Sequence, residues 1–155
     1  MSINTVNKDL EFQYLWSYFD RHSEQRMTMF NYYIVVIMAI ITAIAICLKE
    51  SSTLGNFLIL PALLLIFINH LFKRIDQRTA YLIKISETAL KSFEAENFAP
   101  SSHLISIEEH KTALDRGVNI STYGMIFKYV FNLIEVIAFT FVAISFYNLW
   151  IFCTN

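Results

Sequence analysis

The order of apolar and polar positions divides the chain into two kinds of segment. Three windows are almost uninterruptedly apolar. Met27 to Leu48 and Ser51 to Phe72 contain no Asp, Glu, Lys or Arg, and Tyr129 to Asn155 contains only Glu135. Each supplies the ~20 residues that a helix needs to cross a bilayer. Elsewhere apolar residues recur three and four apart, the period of a half-buried helix. Residues 9–26 carry Phe12, Leu15, Trp16 and Phe19 at that spacing, flanked by Tyr14 and Tyr18, with Asp9 as the expected N-cap. The longest unbroken stretch is Asn56 to Asn97. Its apolar half, NFLILPALLLIFINHLF, passes directly into the amphipathic RIDQRTAYLIKISETALKSFEAEN. In that second half Ile75, Thr79, Leu82, Ser86, Ala89/Leu90 and Phe93 approximate a heptad seam, with Ile83 beside it. Asp76, Arg78, Lys84, Glu87, Lys91 and Glu94 form the wet face.

These patterns predict an all-α integral membrane protein with three transmembrane helices. The first two extend into a cytoplasmic helical hairpin, and one short helix is added. The expected segments of this single membrane domain, 1–155, are a cytoplasmic helix 9–26, spans at 27–48, 56–72 and 126–152, a cytoplasmic extension 73–97 and a short helix 106–117. The short helix rests on a capping box at Ser106-Ile107-Glu108-Glu109 and a stop at Gly117. Helix 9–26 could lie on the membrane surface or stand upright against 73–97. Upright fits better: nothing between Arg21 and Met27 breaks the helix, and Ile75, Leu82, Ile83, Leu90 and Phe93 otherwise lack a partner. Pro61 is expected to kink the second span, and Ala39 and Ala43 have the small-xxx-small spacing of close helix approach.

Composition strengthens the membrane reading. Only 16% of the 155 residues are charged, against about a quarter in a soluble domain, and mean hydropathy is +0.46. The polar N-terminus, SINTVNKDLEFQYLWSYFDRHSEQR, is unlike a cleavable signal peptide. Basic residues then orient the chain. Lys8, Arg21 and Arg26 precede the first span, and Lys49 alone lies between the first two. Lys73, Arg74, Arg78, Lys84, Lys91, Lys111, Arg116 and Lys128 lie between the second and third. Positive charge stays inside, so the expectation is a bacterial inner-membrane protein with a cytoplasmic N-terminus and a periplasmic C-terminus.

Candidate chemistry centres on the third span. Glu135 lies two turns past Lys128, about 10 Å deeper at ~1.5 Å per residue. A carboxyl at that depth faces protein or water rather than lipid. Glu135, Ala138, Val142 and Ser145 share a sector of roughly 80°, with Asn132 at its margin. Either Glu135, Asn132 and Ser145 line a polar path, or Glu135 glues helices together with Asn132, Asn69 or His70 as partner. The interleaved acids and bases of 73–97 describe a solvated face and not a nucleic-acid site. No HExxH, CxxC or GxSxG element exists, and His22, His70, His103 and His110 form no ligand-spaced pair, so neither a metal, nor a cofactor, nor an enzyme is expected. Cys47 and Cys153 both fall at apolar helix ends, where packed or lipid-facing thiols are more common than a disulfide.

FDRHSEQRMTMFNYYI entering the first span and FKRIDQRTAYLIKISETALKSFE leaving the second resemble a recurrent style of small bacterial membrane protein. The two-span membrane effectors of bacterial antiviral systems are of this kind. The third span departs from that plan. The resemblance implies a membrane effector or anchor switched by a separately encoded partner, and it transfers no residue role. Two functions from different classes follow. In one, a homo-oligomer permeabilises or depolarises the membrane when triggered through its cytoplasmic helices. In the other, a non-conducting scaffold docks a soluble cytoplasmic protein. A holin-like lysis protein is a third reading. In each, Ile75, Leu82, Ile83, Leu90, Phe93, Trp16 and Phe19 are the expected oligomer or partner surface.

Overall fold

The computed structural model describes residues 3–50, 57–107, 110 and 123–154, and the side chains of these except at 3–6, 152 and 153. Among the described residues there is no strand. Three long helices carry the chain: α1, Ile3–Lys49; α2, Ile59–Asn97; and α3, Tyr123–Thr154. A short 3-10 turn, Pro100–Ser102, follows α2, and residues 104–107 are again helical.

Several expected boundaries shift, for local reasons. Helix α1 is already under way before Asp9, so Asp9 is an interior residue and not the cap. With neither Gly nor Pro between Ile3 and Lys49, segments 9–26 and 27–48 form one helix. Pro61 lies in the first turn of α2. There the missing N–H is one of the helix's orphan donors anyway, so no ladder bond is lost and the expected kink has no cause. The short helix is in place by residue 104, ahead of its expected start at 106. Its N-terminal turn uses Glu94 of α2, whose Oε2 accepts from the Ile105 N–H at 3.3 Å. Most of 106–117, the outer turn after Glu50 and the link before Tyr123 lie outside the described residues, as does the Cys153 side chain.

The chain forms two compact units, Met1–Thr28 with Gln77–Thr122 and Met29–Asp76 with Tyr123–Asn155. In the first, α1 and α2 run antiparallel. Lys8 Nζ donates to Asn97 Oδ1 at 2.6 Å, and the Phe12 and Phe93 rings lie 5.6 Å apart. Phe98 closes this end edge-on against both rings. Thr79, Ser86, Leu90, Phe93 and Glu94 are buried on α2. Ser86 spends its hydroxyl on the Ile83 carbonyl of its own helix, at 2.7 Å, so a polar residue enters the seam without an unpaired group.

In the second unit three helices share a core. Its buried positions are Tyr33, Ile37, Ile40 and Ile44 on α1, Leu58 before α2 with Ala62, Leu65 and Asn69 within it, and Phe127, Phe131, Ala138 and Ser145 on α3. The steps of four, three and seven are the heptad spacing of left-handed helix packing. Phe30 stacks flat on Phe127, centroids 3.9 Å apart, and Tyr33 lies 4.8 Å from Phe131. Helices α1 and α3 therefore run in the same direction here, with α2 opposed.

Outside this core much of the second unit's surface is apolar. Val35, Met38, Phe67, Leu133, Val136, Phe139 and Trp150 are all exposed. Two stretches, Asn7–Lys49 and Tyr123–Ile151, are long and apolar enough to cross a membrane, and only 22% and 17% of their most apolar windows are buried. Core helices of a soluble protein would be mostly covered, so these faces are built for an apolar solvent or for neighbouring chains. Helix α2 differs: from Ile59 its charge-free stretch ends at Phe72, short of the ~17–25 residues of an ordinary crossing.

Candidate functional site

Several polar groups of the second unit gather in one layer that touches all three helices. Tyr33 is completely buried on α1, and its hydroxyl donates to Asn69 Oδ1 on α2 at 2.7 Å. The other end of that amide, Asn69 Nδ2, donates to the Phe131 carbonyl of α3 at 3.1 Å. Asn69 thus joins both neighbours at once, and its burial is offset because donor and acceptor are both used.

Lys73 follows Asn69 by four residues, which puts it on the same face of α2. Its Nζ donates to Glu135 Oε2 at 2.8 Å and to Asn132 Oδ1 at 3.2 Å. The ammonium is thereby held between two oxygens of one helix, three residues apart and so adjacent on its surface. The cradle is not sealed. The Lys73 and Glu135 side chains keep 29% and 41% of their exposure, and Asn132 is exposed.

Sequence reasoning singled out Glu135 and Asn132, and the structure brings them together. Their shared partner differs from those expected. Asn69 is occupied by Tyr33 and Phe131, and His70 is exposed. The partner is Lys73, which as a residue at the end of an apolar run reads only as an orientation marker. Its i, i+4 relation to Asn69 is the signal that links it to the layer. The adjacent tyrosines part ways: Tyr32 is 65% exposed, as a headgroup-level aromatic would be, while Tyr33 is fully buried. Ser145 stands apart from this site. It is buried, bonds the Phe141 carbonyl of its own helix at 2.8 Å, and lies ten residues, ~15 Å of helix, beyond Glu135.

The residues expected at an oligomer or partner surface are placed unevenly. Leu90 and Phe93 are buried, Phe93 against Phe12 of the chain's own α1, and Ile75, Leu82, Ile83 and Phe19 are partly covered. Trp16 remains 51% exposed, its ring against Phe12 and Phe19 at 6.4 and 5.8 Å. Among the described residues no three His, Cys, Asp or Glu side chains assemble as a metal cage would. The layer can hold a monovalent cationic group, order three helices and offer hydrogen bonds to a neighbour. It presents no nucleophile poised beside a base.

Comparison with known proteins fits this picture. Residues 10–153 match a family described as the octameric membrane protein family (8xMP). The chain is also similar to CD-NTase-associated protein 19 of Escherichia coli, with 31% identity over 123 residues, 79% of this chain and 82% of that one. No solved structure matches. With apolar, uncovered helices and a match that runs through all three of them, this chain belongs to the octameric membrane protein family.

Proposed function

We propose that the protein is a membrane effector of antiviral defence that assembles into an octamer and depolarises the membrane when triggered through the helices of its first unit. The observation that carries this reading is the Lys73–Glu135–Asn132 cradle, a partly exposed charged pair on a unit whose exposed side chains are mostly apolar. At the centre of a spanning helix a charged group facing lipid costs ~2.5–3.5 kcal/mol on insertion scales, and less toward its ends. Such a cradle is placed economically only against water or a neighbouring copy. Family membership supplies the copies, and the name of the Escherichia coli relative associates it with a CD-NTase, which supports a defence role and a trigger from a separate protein.

In this reading all three helices cross the inner membrane, α2 from Phe57 onward, with the N-terminus inside. Copies inserted in one orientation are related by an axis along the membrane normal, so the octamer is a ring. The exposed face of α3 that carries Asn132 and Glu135 then meets the axis or the next copy. Helices α1 and α2 each belong to both units, which gives a signal arriving at the first unit a covalent route to the cradle. The protein performs no catalysis in this scheme.

The test is membrane potential, read with a voltage-sensitive dye in cells expressing the chain together with its neighbouring genes. Triggered wild type is expected to depolarise within minutes, and Glu135→Leu to be impaired. If wild type and Glu135→Leu both leave the potential unchanged under every trigger, the protein is not a depolarising effector.

A further inference from the structure

We infer that the Glu135–Asn132 cradle is a binding site for a monovalent inorganic cation, occupied in the resting protein by the protein's own Lys73 ammonium. The inference rests on the reading above and adds its ion class and the plug that keeps it closed.

The geometry supplies the argument. Lys73 Nζ sits 2.8 Å from a carboxylate oxygen and 3.2 Å from an amide oxygen of one helix. An ammonium group is a compact single positive charge satisfied by oxygen acceptors, and so is a dehydrated alkali ion. Oxygens that hold the first at contact distance can supply part of the shell of the second, with water completing it. The alternative, that the pair serves only as glue, fits poorly with its exposure. The layer already has a helix-joining element in Tyr33, Asn69 and the Phe131 carbonyl, which is buried and internally satisfied. Lys73 adds a second tie beside it that remains open to the outside.

The placement of Lys73 also suits a plug. Its carrier α2 is held to α3 one turn away by Asn69, so the ammonium is positioned by the backbone while its flexible stem can withdraw. The two oxygens sit on α3 and stay where they are when the stem leaves. In a ring of eight chains, withdrawal uncovers eight carboxylates at one height, and rings of acidic side chains select cations. The sign is specific: were Lys73 the lining group, the path would pass anions.

The experiment uses purified full-length octamers in phosphatidylethanolamine/phosphatidylglycerol liposomes under a KCl gradient, with flux and reversal potential as readouts. Wild type without a trigger is expected to be tight. Lys73→Met is expected to conduct without a trigger, raising potassium flux roughly tenfold or more, with a reversal potential near that of potassium. Lys73→Met combined with Glu135→Gln is expected to return to the wild-type level. Lys73→Cys should leak likewise in a Cys47→Ser/Cys153→Ser background, and aminoethylation of the new thiol, which rebuilds an ammonium at the same place, should reseal it. If Lys73→Met does not assemble as an octamer, Lys73→Gln decides: it keeps a hydrogen-bond donor for Glu135 and Asn132 but removes the charge, and potassium leak is expected.

Assembled Lys73→Met or Lys73→Gln octamers that stay tight overturn the inference, as does chloride-selective leak or a leak indifferent to Glu135→Gln. Tight Lys73→Met liposomes alongside wild-type depolarisation in cells would remove the plug and leave the effector function standing. Conducting Lys73→Met liposomes with no depolarisation by wild type under any trigger would do the reverse.

Discussion

Removing one oxygen atom tests the buried half of the polar layer. Tyr33→Phe keeps the ring against Phe131 and Phe72 and deletes only the hydroxyl that donates to Asn69 Oδ1 at 2.7 Å. Tyr33 is 0% and Asn69 2% exposed, so no solvent replaces the lost donor, and the amide oxygen is left unpaired. Hydrogen bonds between membrane helices average about 0.6 and reach about 1.7 kcal/mol, and an orphaned buried acceptor costs about 1–3 kcal/mol. A short bond with both partners buried belongs in the upper part of the first range. The expected loss is therefore about 1.5 kcal/mol, roughly tenfold in the unfolding equilibrium.

The sharper measurement is a cycle with Asn69→Leu, read by detergent-induced unfolding of the purified protein. Asn69→Leu should cost more than Tyr33→Phe, since it also removes the bond to the Phe131 carbonyl at 3.1 Å. Once Asn69 is gone the Tyr33 hydroxyl has no partner, so adding Tyr33→Phe should cost almost nothing. The expected coupling is about 1 kcal/mol or more. Additivity within ~0.3 kcal/mol would show that the two groups act independently and would refute the layer as described.

Three further outcomes follow from the packing. Phe127→Ala removes a ring stacked 3.9 Å from Phe30 and should lower the detergent Tm by several degrees at a cost of about 3 kcal/mol, while Phe139→Ala, at an exposed position, should leave it nearly unchanged. Leu90→Asp places a carboxylate at a site only 2% exposed and should make the first unit a ready substrate in limited proteolysis, whereas Ile85→Asp, at an exposed position, should not. Glu94→Ala removes the acceptor of the Ile105 N–H and should speed hydrogen exchange at Ile105, at a cost of about 1 kcal/mol by analogy with N-caps; unchanged exchange would mean that the contact adds nothing.

Much of this architecture was readable from periodicity. The seam of α2 is legible because Thr79, Ser86, Leu90 and Phe93 follow one another at seven, four and three, and Glu135 because it is the lone charge in its window. Its partner was not legible. A helical wheel tells which face Lys73 occupies, but a four-carbon stem can deliver its charge well away from its own Cα. Tyr32 and Tyr33 are adjacent and chemically identical, so only packing separates an exposed aromatic from a buried donor. The same holds for Ala39 and Ala43. Both are exposed, so their small-residue spacing is not buried in the core among the described residues. The early start of the short helix was hidden because its first free N–H is met by a glutamate from another helix, a long-range contact without a local motif.

The apolar layers of the second unit are nearly interchangeable. Ile37, Ile40 and Ile44 face Leu58, Ala62 and Leu65, and sliding one helix past the other by a heptad would again set aliphatic groups against aliphatic groups. The hydroxyls of Thr42, Thr140 and Ser145 bond carbonyls of their own helices, so they do not oppose such a slip. Tyr33 and Asn69 do. Displaced by seven residues one way, Asn69 would meet Ile40, and displaced the other way, Tyr33 would meet Ala62, so in either case their bond is lost and one polar group confronts a hydrocarbon neighbour. A single buried polar pair of this kind fixes alignment in coiled coils at some expense of stability. Here it selects one packing among several of similar hydrophobic content, and it makes a heptad-sized slip the alternative state that the fold is built to avoid.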